Sequence, residues 1–262
     1  MRGARAGGRA LRGMTVVVTR SRDDGGPLAA GIEAMGGEAL VCPAIRVELG
    51  DAEALGRAAG SLARFDWIVF TSANGGRSLA PLLERTRFSG KIAVIGNATA
   101  AALRRLGYEE HLASVDSTGA ALAAVLGGRV AAGERVLAPR SDIAGGSLEA
   151  VLKGAGADVC SIVSYRTRPG TREDAAPLLA RLGARIPDAV LFASPSAVRG
   201  LQAMLEAGEF ERFMRGAKIV SIGPTTSAQI AALGFAVARE ARHHTNEGML
   251  EALAALAAGR GA

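Results

Sequence analysis

Aromatic side chains are scarce, with Phe, Tyr and Trp making up 4% of 262 residues and only two tyrosines and one tryptophan among them. The core must be built from Ala, Val, Leu and Ile, and any tyrosine is conspicuous. Cysteine is scarcer still: Cys42 and Cys160 lie in separate β-like runs, with no CxxC and no His at ligand spacing. This excludes a disulfide framework and predicts two buried thiols in a reducing compartment. His111, His243 and His244 fall in no zinc pattern such as HExxH, so no metal site is expected. No segment approaches the roughly 20 apolar residues of a membrane span, and the start of the chain lacks the apolar stretch of about 7–15 residues of a secretory signal. A soluble, cytoplasmic protein is expected.

Several ligand signatures are missing as well. No GxGxxG opens the first βα unit, there is no GxxxxGK followed by Ser or Thr, and no GxSxG occurs. Nucleotide binding and triad hydrolysis therefore have no specific support. The net charge of +6 invites a nucleic-acid reading, but its distribution argues against one. Residues 1–13 hold Arg2, Arg5, Arg9 and Arg12 and no acid, which leaves 27 basic and 25 acidic residues in a nearly neutral body. The leader 1–13 reads as a disordered, inert basic extension; the alternative is an organellar transit segment, for which it is short and lacks Ser.

What the sequence does have is alternation. Apolar runs bounded by Gly, Ser, Asn and Pro predict strands at Thr15–Val18, Ala39–Val41, Trp67–Phe70, Lys91–Ile95, Arg135–Ala138, Asp158–Val163, Ala189–Phe192, Lys218–Ile222 and Phe235–Ala238. Segments of 3.6-residue period predict helices near 27–35, 75–84, 98–106, 118–127, 146–153, 173–182, 196–206, 225–232 and 246–258. Strands apolar on both faces and alternating with helices define an α/β protein with parallel sheets.

The chain also repeats itself. Thr19-Arg20-Ser21 matches Pro139-Arg140-Ser141, Cys42 matches Cys160, Phe70-Thr71-Ser72 matches Phe192-Ala193-Ser194, and Ile95-Gly96-Asn97-Ala98-Thr99 matches Ile222-Gly223-Pro224-Thr225-Thr226, always in order and at a nearly constant offset. A duplicated α/β unit, hence two similar domains with a cleft between them, follows.

Each repeat ends a strand with small polar residues and starts a helix there. Ser72, Ala73 and Asn74, and Ser194 with Ser196, stand at N-cap positions, while Gly96 and Gly223 mark strand exits where backbone can approach a ligand. Helix N-termini present free N–H groups and a partial positive charge, so four of them predict an anionic ligand. Arg20 and Arg140 follow the first strand of each repeat and either bind carboxylates or are solvated loop arginines. Tyr165 either donates a proton to a leaving hydroxyl or packs with its own hydroxyl satisfied.

In this order and spacing, Val18-Thr19-Arg20, Phe70-Thr71-Ser72-Ala73-Asn74-Gly75, Ile95-Gly96, Ala138-Pro139-Arg140, Val163-Ser164-Tyr165-Arg166-Thr167, Phe192-Ala193-Ser194-Pro195-Ser196 and Ile222-Gly223-Pro224-Thr225 resemble the uroporphyrinogen-III synthase family over residues 14–258. The repeat alone would cut the chain near residue 130. The resemblance implies instead two flavodoxin- or Rossmann-like parallel-sheet domains, 14–44 with 170–262 and 50–164, joined by a two-stranded linker of 45–49 and 165–169.

It further implies a lyase that cyclises the linear tetrapyrrole hydroxymethylbilane to uroporphyrinogen III, with loss of water and inversion of ring D. No cofactor, nucleic acid or membrane is implied; a monomer is, along with a transient hand-over from hydroxymethylbilane synthase. Matched position by position, Tyr165 is the expected proton donor. Thr19, Arg20, Ser72, Ala73, Asn74, Gly96, Thr99, Arg140, Ser194, Ser196, Gly223, Thr225 and Thr226 are the expected substrate-binding residues. The alternatives are a non-catalytic two-domain binding module for a small polyanion and a nucleotide-sugar transferase.

Overall fold

The strand TVVV at Thr15–Val18 (β1) buries its last three side chains, and WIVF and AVLF bury all four of theirs, as strands covered on both faces must. These elements come from a computed structural model that describes residues 10–86, 88–105, 107–114, 126 and 128–259. After β1 the chain runs through α1 (Arg22–Ala34), β2 (Glu38–Val41), β3 (Ile45–Leu49), α2 (Ala52–Gly60), β4 (Trp67–Phe70), α3 (Ala73–Thr86), β5 (Lys91–Ile95), α4 (Asn97–Arg105) and β6 (Leu112–Ser114). It continues with β7 (Arg135–Ser141), α5 (Ser147–Gly154), β8 (Asp158–Pro169), α6 (Arg172–Leu182), β9 (Ala189–Phe192), α7 (Pro195–Met204) and α8 (Ala207–Gly216). The last described elements are β10 (Lys218–Ser221), α9 (Pro224–Ala232), β11 (Arg239–Glu240) and α10 (Asn246–Ala258).

Contacts divide the chain into two units, Met1–Arg46 with Arg168–Ala262, and Val47–Thr167. The first unit holds a sheet of order β2-β1-β9-β10-β11, parallel throughout. The second holds β3-β8-β7-β4-β5-β6, parallel from β8 to β6. Taken along each unit's own path, the first sheet has the flavodoxin order 2-1-3-4-5, and β8-β7-β4-β5-β6 is the same order entered at its third strand. The sequence repeat is thus a repeat of topology in which the halves exchange strands.

Alternation along the strands splits each core in two. In the first unit Val17, Val190, Phe192 and Ile219 face one helix layer, while Val16, Val18, Leu191 and Val220 face the other. In the second, Ile68, Phe70, Ile92 and Val94 oppose Trp67, Val69, Ala93 and Ile95. Where β3 leaves the first unit, Arg46 Nε donates to Asp174 Oδ2 at 2.7 Å, and Arg46 Nη2 donates to Thr171 Oγ1 at 3.0 Å. Thr171 and Asp174 form the capping box of α6, so the crossing strand is tied to that helix start.

Several expectations need correction. The strand expected at Phe235–Ala238 is absent: Phe235 and Val237 pack on the core from a loop, and β11 pairs with β10 through Arg239 and Glu240. Helix 196–206 ends at Met204 because Leu205 is extended, and a capping box between Glu206 and Glu209 starts the separate helix α8. Cys42 is buried but Cys160 is exposed. Cys42 packs in the core with Val17, Leu178 and Leu201, whereas Cys160 lies in the first half of β8 beside the exposed Ser161. Burial, with a smaller contribution from Asp174, pushes the Cys42 thiol up to about 12.

Of the leader, 1–9 lie outside the described residues, but Leu11 is fully buried and its N–H donates to Met35 O, so this part of the leader packs on the fold and is no loose extension. The helix expected at 118–127 falls almost wholly outside the described residues.

Candidate functional site

In a 2-1-3-4-5 sheet the strand order reverses between the first and third strands, and ligands bind beyond the carboxyl ends there. In the second unit this point lies between β7 and β4. Ser72 follows β4 and caps α3: its Oγ accepts from Gly75 N–H at 3.1 Å. Gly75 lets the helix start approach the exit of β7, because a Cβ there would stand 3.0 Å from Pro139 O.

Tyr165 reaches the same point from β8. The pairing of β7 with β8 runs in register to Arg140 and Val163, then skips Ser164, so that Ser141 faces Tyr165. Such a bulge turns the side chains that follow it. Ser164 is fully buried, and its neighbour Tyr165 is 8% exposed instead of turning outward. The bulge is fastened by Asp142, whose N–H donates to Tyr165 O at 3.2 Å and whose carboxylate accepts from Thr167 N–H at 3.0 Å. The Tyr165 hydroxyl lies 2.9 Å from Ser72 Oγ.

Arg140, expected as a cation for the ligand, is 8% exposed and engaged internally. It donates to Glu149 and to Gly145 O. Burial is the largest single influence on the Glu149 carboxyl and raises it, yet hydrogen bonds from Ser161 and Arg140 outweigh this and hold it below the ordinary range. Ala73 and Asn74 are half-buried in the first turn of α3. At the exit of β5, Gly96 adopts φ +79°, a left-handed conformation suited to glycine, and its carbonyl accepts from Thr99 N–H at 3.1 Å. Thr99 itself is buried.

In the first unit the corresponding point lies between β1 and β9. Thr19 is fully buried there, with Oγ1 donating to Leu191 O at 2.7 Å, so it joins the two strands and presents nothing to a ligand. Arg20 follows it, half-buried. Ser194 caps α7 by accepting from Ala197 N–H at 3.2 Å and lies 2.9 Å from Ser196 Oγ. Gly223 begins α9 without a side-chain cap, Thr225 is exposed, and Thr226 is buried with its hydroxyl unpartnered among the described residues.

Sequence reasoning missed three participants. Glu149 holds Arg140, Asp142 fastens the bulge, and His244 rests on Gly223, where a Cβ would stand 2.7 Å from its Nε2. No spacing in the sequence marks any of them. Among the described residues no group of three His, Cys, Asp or Glu could hold a metal, and no helix is long and apolar enough to cross a membrane.

Residues 26–251 match the family model described as Uroporphyrinogen-III synthase HemD. The chain is 28% identical over 255 residues to the uroporphyrinogen-III synthase of Synechococcus elongatus, covering 93% of this chain and 95% of that one. Among solved structures it resembles a mutant uroporphyrinogen III synthase from the extremely thermophilic bacterium Thermus thermophilus, with TM-score 0.62, 18% identity, and 94% and 99% of the two chains covered. It also resembles uroporphyrinogen-III synthetase from Helicobacter pylori, with TM-score 0.63, 18% identity, and 93% and 99% covered. At these identities the structural likeness speaks for the fold.

Proposed function

The chain belongs to the uroporphyrinogen-III synthase family, and from that premise we propose that it is a lyase that cyclises hydroxymethylbilane to uroporphyrinogen III, expelling water and inverting ring D. The observation that carries this reading is the Tyr165 hydroxyl, turned by the β8 bulge to the start of α3 at the switch point of its sheet.

The substrate is a flexible polycarboxylate, and helix N-termini suit it because their N–H groups and dipoles attract anions without mobile cations. In the second unit the starts of α3 and α4 offer such groups to carboxylates at Ala73, Asn74 and Gly96, with Thr99 buried and closing the turn onto Gly96. In the first unit the starts of α7 and α9 offer them at Ser194, Ser196, Gly223 and Thr225, with Thr226 fully buried behind. Thr19 acts from behind by joining β1 to β9, the strand that α7 follows, and Arg140 by joining the end of β7 to the start of α5. Holding the chain folded raises the effective concentration of the ring-D carbon that must be attacked and disfavours the uninverted closure.

Tyr165 gives its proton to the departing hydroxyl as the carbon–oxygen bond breaks. Water and a pyrrole-stabilised cation result, with the phenolate left behind, and the phenolate takes back the proton released when the last pyrrole regains aromaticity. In this reading 45–49 and 165–169 form the two-stranded linker joining 14–44 plus 170–262 to 50–164. The enzyme works as a cytoplasmic monomer on substrate handed over by hydroxymethylbilane synthase.

The test is to supply freshly generated hydroxymethylbilane and separate the type I and type III products after oxidation. Predominantly type III product is expected. A ratio equal to that of the spontaneous reaction would overturn the reading and leave a polyanion-binding module in its place.

A further inference from the structure

The Ser72 hydroxyl has one proton and two lone pairs. Gly75 N–H, at 3.1 Å, occupies one lone pair as the cap of α3. The other contact of Ser72 Oγ among the described residues is the Tyr165 hydroxyl at 2.9 Å, which likewise has no second partner among them. Two arrangements are open to this pair. If Tyr165 donates, its only proton is turned toward Ser72 and away from a substrate. If Ser72 donates, the Tyr165 proton is free to point outward, and the oxygen it leaves behind keeps a hydrogen bond.

Capping alone does not explain the pair, and the duplication supplies the comparison. Ser194 occupies the equivalent place in the other unit and makes the same kind of cap, to Ala197 N–H at 3.2 Å. Its hydroxyl partner, however, is Ser196 on the same helix. Carrying the offset between Cys42 and Cys160 forward, the position matching Tyr165 is Val47, which has no hydroxyl. Both repeats retain the cap, and only one brings a phenol to it across 93 residues of chain.

We infer that Ser72 is the positioning residue for Tyr165: it donates its hydroxyl proton to the phenolic oxygen and so directs the Tyr165 O–H toward the leaving group. The inference rests on the reading of Tyr165 as the proton donor. When the phenolic proton passes to the departing hydroxyl, the substrate carbon–oxygen bond breaks, water forms and the negative charge stays on the Tyr165 oxygen. Ser72 remains bonded to that oxygen, and the α3 N-terminus adds its partial positive charge on the same side. The arrangement is then ready for the proton to return at rearomatisation.

The experiment is steady-state kinetics on the full chain for the native protein, Ser72→Ala, Ser72→Gly, Ser72→Thr, Tyr165→Phe and the double variant Ser72→Ala/Tyr165→Phe, with thermal midpoints alongside. Ser72→Gly guards against a folding artefact, because glycine is tolerated at an N-cap far better than alanine. Ser72→Ala and Ser72→Gly are expected to lower kcat about 10- to 100-fold with KM nearly unchanged, the scale of one lost hydrogen bond to a developing oxyanion. Ser72→Thr, which keeps the hydroxyl, should restore most of the rate. The double variant should be no slower than Tyr165→Phe alone, because Ser72 acts through the phenol.

A near-native kcat in Ser72→Ala overturns the inference while leaving the Tyr165 reading intact, provided Tyr165→Phe is crippled. So does a rise in KM with kcat unchanged, which would make Ser72 a substrate ligand, and so do losses that multiply in the double variant. Near-native turnover in Tyr165→Phe overturns both readings together.

Discussion

Arg140 donates to Glu149 Oε2 while Glu149 Oε1 accepts from Ser161 Oγ at 2.6 Å, so a cation at the exit of β7 is neutralised inside its own unit. Removing the guanidinium would leave a hydrogen-bonded carboxylate short of its countercharge. Arg140→Met is expected to cost about 1.5–3 kcal/mol of unfolding free energy in urea, the range for hydrogen bonds to charged groups. Product affinity should change little. A variant of native stability with weakened product binding would place Arg140 on the substrate.

The pair of Arg172 and Glu209 ties α6 to α8, with Arg172 Nη2 donating to Glu209 Oε1 at 2.9 Å. The hydrogen bond from Arg172 is the main reason the Glu209 carboxyl falls to about 2. A carboxyl depressed in the folded state stabilises the protein above its unfolded value near 4.5, and that contribution disappears as pH falls toward 2. Glu209→Gln should therefore lower the thermal midpoint at pH 6 and lose this deficit between about pH 4.5 and 2. A deficit independent of pH would contradict the assignment.

Gly200 in α7 packs against the start of the crossing strand so closely that a Cβ would stand 1.8 Å from Ala44 O. Backbone cannot swing aside as a side-chain tip can. Gly200→Ala is expected to destabilise by about 3 kcal/mol, at the upper end for overpacking. Gly208→Ala, at an exposed helical position with open space around it, should be neutral or gain up to about 1 kcal/mol. Thermal denaturation of the two variants side by side checks the contrast.

The buried strands were legible in the sequence because full burial leaves uninterrupted apolar runs: Trp67–Phe70 and Ala189–Phe192 stand where the pattern puts them. What escaped was structure carried by small or polar residues. Helix α2 has only Leu55 and Ala58 buried, which gives too narrow a stripe to read. The strand expected at 235–238 failed because Phe235 and Val237 serve the core from a loop, and periodicity does not distinguish the two uses.

The strand exits of the site were readable from their caps and glycines. The fate of their side chains was not: Thr19 turns inward to Leu191, and Arg140 meets a glutamate nine residues on. The bulge that aims Tyr165 depends on how β8 meets β7, and this is a property of pairing that no single strand records.

The measurement that bears most directly on the account is the turnover of Tyr165→Phe, compared with Thr225→Ala under the same conditions and with both thermal midpoints recorded. A positioned general acid contributes about 10²- to 10⁴-fold, so loss of the phenolic proton should cost at least a hundredfold in kcat at an unchanged midpoint. Thr225→Ala, which removes one exposed hydroxyl from a helix start that keeps its backbone donors, should cost less than about tenfold. Tyr165→Phe turning over within about tenfold of the native protein would contradict the account.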